Sequence, residues 1–180
     1  MKEIAKDYLW TFDFKGIDNE KLYKTCIDVE TALKNNYPPI PEENIYNSFT
    51  TYYHRVYNLF NFPCPQLNKL YANIIKHLPE ILLKDKTYYM RCWVNLFDKG
   101  KNIDWHSHWQ PHFKTYHGFY CVNTENVPSY TTYKIPHILS KDVGIKVDSI
   151  DGLLVFGKSE NDEHKTSEWN YKDKPRVTIA

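Results

Sequence analysis

The chain changes its hydrophobic rhythm near its midpoint. In the first half, apolar positions recur every three or four residues. Leu22, Cys26, Val29 and Leu33 follow Asp18, a suitable helix N-cap, and predict a helix over 19–34. The segment PPIPEEN at 38–44 breaks that rhythm, because proline has no amide donor and its ring clashes with the preceding turn. A second helix is expected over 65–83. It places Leu67, Leu70, Ile74, Ile75 and Leu78 on one face, with Pro79 kinking or ending it. From residue 89 the runs become short and apolar or alternating: YMRCWVNLF, TYHGFYCVN, GLLVFG and RVTIA. The turn-prone pieces DKGKN, NTENVPS and KSENDE separate them, which predicts a β-sandwich or barrel. The expected fold is therefore α+β in a single domain over 1–180. A helical N-terminal part, 1–88, supports an antiparallel β-part, 89–180.

Composition narrows the function. With 23 basic and 22 acidic residues the net charge is +1, so no electrostatic footprint for nucleic acid or an anionic membrane is present. No apolar run approaches the ~20 residues that span a bilayer. The start, MKEIAKDYLW, lacks the apolar core of a secretion signal. The expectation is a soluble cytoplasmic protein, or one in the host cytoplasm if the chain is viral. Cys26, Cys64, Cys92 and Cys121 form no CxxC pair, which argues against a zinc ribbon or a thioredoxin-like site and for reduced, partly buried thiols.

The chemistry concentrates in WVNLFDKGKNIDWHSHWQPH, residues 93–112. His106 and His108 stand two apart, and in a strand such residues share a face, so both rings can reach one ion. His164 follows an apolar strand and a polar turn, and can close a facial set of three ligands with open positions for oxygen and a chelating acid. Arg176 and Thr178 share a face of the expected terminal strand. An arginine fork can hold the far end of a dicarboxylate, and a hydroxyl two residues on can add a bond to the same oxygens. Asp104 lies on the same strand face as His106 and is an alternative carboxylate ligand. His112 and His117 are spare candidates beside the metal or facing the substrate. Trp105, Trp109 and Tyr116 are candidates for the pocket wall.

In order and spacing these pieces resemble the iron(II)/2-oxoglutarate-dependent dioxygenases, in their prolyl-hydroxylase-like bacterial and phage branch. The resemblance runs through Trp93-Val94-Asn95, Gly100, His106-Ser107-His108, Gly118-Phe119-Tyr120-Cys121-Val122, Gly152-Leu153-Leu154-Val155-Phe156, His164 and Arg176-Val177-Thr178, over roughly 90–180. It implies a double-stranded β-helix, or jelly roll. It implies iron(II) on His106 and His164, completed by His108 or Asp104, and 2-oxoglutarate on Arg176 and Thr178, with Tyr120 adding a hydrogen bond. The implied activity is hydroxylation of a peptidyl side chain or a small molecule. One departure stands out. Most of the superfamily has Asp or Glu where this chain has His108, so the ligand set carries one negative charge fewer.

Two rival readings belong to other classes. Gly100 and His106-x-His108 fit the start of a cupin motif and suit a metalloprotein that does not use 2-oxoglutarate. The Glu expected shortly after is missing, since His112 and Phe113 stand there. A jelly roll that has lost catalysis and serves as a binding module would also suit His108.

Overall fold

In the computed structural model, residues 1–37, 49–51, 58–83, 86–135 and 144–180 are described. Among the described residues, ten strands and two α-helices follow one another. They begin with β1 (Lys2–Ala5), β2 (Leu9–Asp13), α1 (Asn19–Asn36), β3 (Phe49–Thr50) and α2 (Pro65–His77). Then come β4 (Val94–Phe97), β5 (Tyr116–Asn123), β6 (Tyr130–Lys134), β7 (Ile145–Asp148), β8 (Leu153–Lys158), β9 (Glu163–Thr166) and β10 (Arg176–Ile179). They form a seven-stranded sheet in the order β1-β2-β8-β5-β10-β4-β3 and a three-stranded sheet in the order β7-β6-β9. Every strand pair is antiparallel.

Strand alternation sorts the large sheet into two working faces. Val94, Leu96, Tyr120, Val122, Val177 and Ile179 point toward the helices and share one apolar core with Leu22, Cys26, Leu67 and Leu70. Their neighbours in sequence, including Asn95, Phe97, Phe119, Arg176 and Thr178, point the other way and line a cavity together with Thr131 and His164 of the small sheet. Leu9 and Val155 of the large sheet meet Tyr133 and Val147 of the small one in a second core. The helices thus cover one face of the large sheet, while the opposite face meets the small sheet.

The first helix forms as its pattern predicts. Asp18 caps it by accepting from the Lys21 amide, and Leu22, Cys26, Val29 and Leu33 are buried. The second is shorter than 65–83. It stops at His77, and a 3₁₀ turn over Leu78–Glu80 follows, because Pro79 cannot donate to the α-helical ladder. Ile75 is 43% exposed, so the buried stripe is Leu67, Leu70, Ile74 and Leu78 without it. PPIPEEN lies outside the described residues. The N-terminal part is also not purely helical, because β1 and β2 extend the large sheet beyond β8. All four cysteines are free and buried. No described helix is long and apolar enough to cross a membrane.

Candidate metal centre

Backbone pairing brings the distant histidines together. After β4 the chain turns at Gly100, whose φ of +80° suits a residue without Cβ. It then runs along the free edge of β9. The Thr166 amide donates to the Ile103 carbonyl, and His106 and His164 exchange both backbone bonds at 3.1 and 2.9 Å. The ring centroids of His106 and His164 are consequently 4.2 Å apart. The His108 ring lies 5.1 Å from that of His106 and 5.3 Å from that of His164. One nitrogen from each of the three rings falls within 4.8 Å of the others, close enough to hold one ion.

Two of the rings are oriented by their back nitrogens. Nδ1–H of His106 donates to the Asp104 carbonyl at 2.8 Å. Nδ1–H of His164 donates to Asp162 Oδ2 at 3.3 Å. Each bond leaves Nε2 as the unprotonated donor. Burial pushes His108 and His164 down to about 3, with help from the neighbouring rings, and burial also lowers His106. The three imidazoles are therefore neutral near pH 7, the form that offers a lone pair to a metal. The set suits iron, zinc or copper.

Across the cavity, which has a volume of about 140 Å³, stands Arg176. It is 1% exposed, and its guanidinium lies 4.2 Å from the centre of the Phe97 ring. Nη2 donates to the Ser167 carbonyl at 3.4 Å, while Nε and Nη1 have no hydrogen-bond partner among the described residues. Burial pulls its pKa down to about 10, so it remains a cation near pH 7. A buried cation with orphaned donors fits an acid ligand that brings its own oxygens. Thr178 shares the face and is buried beside it.

Several expectations fail on geometry. Tyr120 faces the helices, donates to Asn19 Oδ1 at 2.7 Å and packs near Phe14, on the opposite side of the sheet from Arg176. It cannot serve a cosubstrate held by Arg176. Asp104 is exposed, its carboxylate accepts from the Trp105 amide, and it is absent from the convergent groups among the described residues. Trp105 sits under Lys134 and Lys165, and Trp109 and His112 are exposed. Trp93 lines the cavity instead.

Sequence reasoning gave His117 only as a spare candidate and did not name Asp162. His117 is buried and stacks on His164 at 4.5 Å with 13° between the rings. Asp162 is buried, and burial raises its carboxyl to about 7. His117, Asp162 and His164 form a second convergent group. The clue was available: Asp162 is two residues before His164 and shares its strand face.

A larger apolar chamber of about 920 Å³ adjoins the cavity. The two share Trp93, His108, His117, Gly118 and Ala180. Tyr88, Tyr116 and Phe156 form one aromatic wall of the chamber, Tyr116 and Phe156 stacking at 5.5 Å.

No protein-family model and no curated protein sequence matches the chain. Solved structures do. A prolyl-4-hydroxylase from Pseudomonas putida is 13% identical with a TM-score of 0.65, over 95% of this chain and 89% of that one. A prolyl hydroxylase from Trichoplax adhaerens, in complex with a hypoxia inducible factor oxygen degradation domain peptide fragment, is 12% identical with a TM-score of 0.63, over 97% and 83%. A viral collagen prolyl hydroxylase from Paramecium bursaria Chlorella virus-1, in a 2-oxoglutarate complex, is 11% identical with a TM-score of 0.61, over 96% and 93%. At such identities the likeness shows the fold. The chain shares the fold of these bacterial and viral prolyl hydroxylases.

Proposed function

We propose that this protein is a non-haem iron(II)- and 2-oxoglutarate-dependent dioxygenase that hydroxylates a substrate held beside His108. In this reading the two antiparallel sheets are the halves of a double-stranded β-helix. His106, His108 and His164 hold iron(II), and Arg176 and Thr178 hold the remote carboxylate of 2-oxoglutarate. One observation carries the reading: three neutral imidazoles converge on a cavity whose far wall is a buried guanidinium with two unpaired donors.

When bound, the metal and the oxo acid together supply oxidising power to break a C–H bond. The protein's residues do the rest. The bonds to Asp104 and Asp162 hold two rings in the tautomer that points Nε2 inward. Arg176 fixes the orientation of the acid, and Phe97 beneath it keeps water from that end. Trp93 lies against His108 at 5.8 Å, at the junction with the apolar chamber. The chamber suits a substrate with an apolar body, whether a peptide side chain or a small molecule. The peptide complex of the Trichoplax protein is consistent with the first of these.

The cupin-like reading leaves Arg176 without a task, whereas a binding module that has lost catalysis would have no need of metal. The test is iron(II) binding and succinate formation from 2-oxoglutarate under air. His106→Ala and His164→Ala should each abolish both. Wild-type metal uptake or succinate formation in either variant overturns the assignment.

A further inference from the structure

The three-imidazole set lacks the negative charge that a carboxylate ligand would bring. A carboxylate nevertheless stands directly behind it. The Asp162 side chain is wholly buried, and its Oδ2 accepts from Nδ1 of His164. The second ring behind the site, His117, stacks on His164 and places its Nε2 3.5 Å from the same oxygen. His117 is itself held by Ser159, whose Oγ lies 3.0 Å from its Nδ1. Among the described residues no Lys or Arg pairs with Asp162, and its Oδ1 has no hydrogen-bond partner. A buried carboxylate is costly without a compensating cation. The three-imidazole group begins one imidazole away, at His164.

We propose that Asp162 is a positioning residue that supplies, through His164, the negative charge missing at position 108. The inference rests on the metal reading above. A carboxylate that accepts from Nδ1–H does two things to the ring. It fixes the orientation that points Nε2 into the cavity, and it makes Nε2 a stronger donor. His117 packs flat against His164 and prevents the ring from turning away from Asp162. His117, Asp162 and His164 also converge closely enough to hold an ion themselves. Asp162, unlike His117 and His164, does not line the cavity that contains Arg176, so it stands behind the cavity wall and reaches the cavity through the imidazoles.

The experiment is a double-mutant cycle read by metal affinity, with no turnover required. Co(II) and, anaerobically, Fe(II) are titrated into the metal-free wild type, Asp162→Asn, His108→Asp and the double variant. Asp162→Asn keeps an acceptor for Nδ1–H and removes the charge. It should weaken binding roughly 10- to 100-fold, the range for losing a group that orients a ligand. Adding His108→Asp to it should restore most of the affinity, because the charge returns at the ligand position. A residue with only a packing role would give no such rescue. Asp162→Asn binding as tightly as wild type overturns the inference, as does a double variant that stays weak. Loss of metal in His117→Phe together with failed rescue assigns Asp162 as a direct ligand and also overturns it. Should the Asn variant not fold, Asp162→Ser takes its place in the same cycle. A wild type that takes up neither metal overturns the parent reading, a result distinct from a wild type that binds while Asp162→Asn binds equally well.

Discussion

Replacing Arg176 with methionine should make the ligand-free protein more stable and deaf to 2-oxoglutarate. The guanidinium is buried with Nε and Nη1 unpaired. Each unsatisfied buried donor costs about 1–3 kcal/mol. Methionine keeps most of the apolar stem and removes both donors, but it gives up the contact over Phe97, worth about 0.5–2 kcal/mol. For two donors the balance is a gain of about 0–5 kcal/mol, which brackets the range of about 1–4 kcal/mol found when buried charges are replaced by apolar residues. For a chain of this size a gain of about 1–4 kcal/mol raises Tm by roughly 2–16 °C. Ligand then acts in the opposite sense. With Mn(II) in place of iron, 2-oxoglutarate at a hundredfold above its Kd should stabilise wild type by about 2.7 kcal/mol and leave the variant unmoved. Thermal melts followed by circular dichroism read both effects. A variant that melts below wild type without ligand, or that rises equally with ligand, refutes the reasoning.

Tyr120→Phe loses the bond to Asn19 and should cost about 1 kcal/mol of stability, while the 2-oxoglutarate concentration needed for half-maximal succinate formation stays unchanged. A raised requirement would return Tyr120 to the site. Gly118→Ala would set a Cβ 2.5 Å from the Val155 carbonyl oxygen, so β5 or β8 must give way. Overpacking of that kind costs about 1–3 kcal/mol and should lower Tm by roughly 2–12 °C in the same melts. An unchanged Tm would mean that the two strands are not held as closely as described.

The parts of the site visible in the sequence were those in which periodicity and chemistry agreed. Arg176 and Thr178 share a face of β10 as their spacing predicts, whereas His106 and His108 lie outside any named strand and converge through the isolated bridge between His106 and His164. Tyr120 was misjudged because β5 is buried on both faces. When polar and apolar positions no longer alternate with exposure, period two says which residues share a face but not which way that face looks. The same ambiguity hid β2, buried at Leu9 through Phe12. Asp162 was obscured by its setting, since Glu160, Asn161 and Glu163 around it are exposed and the stretch reads as a solvated turn. The end of α2 turned on Pro79, where the hydrophobic stripe continued to Leu78 but the backbone donor did not.

The placement of β10 has a consequence for how the protein comes into being. It lies between β5 and β4, and so bridges the two halves of the large sheet. A nascent chain that has not reached residue 179 holds a split sheet, with the edges of β4 and β5 open to foreign strands. Closure requires a segment to find partners about 55 and 80 residues earlier, the kind of distant pairing that makes folding slow. The step that zips the sheet also delivers Arg176, so completion of the cavity wall and protection from aggregation arrive in the same event.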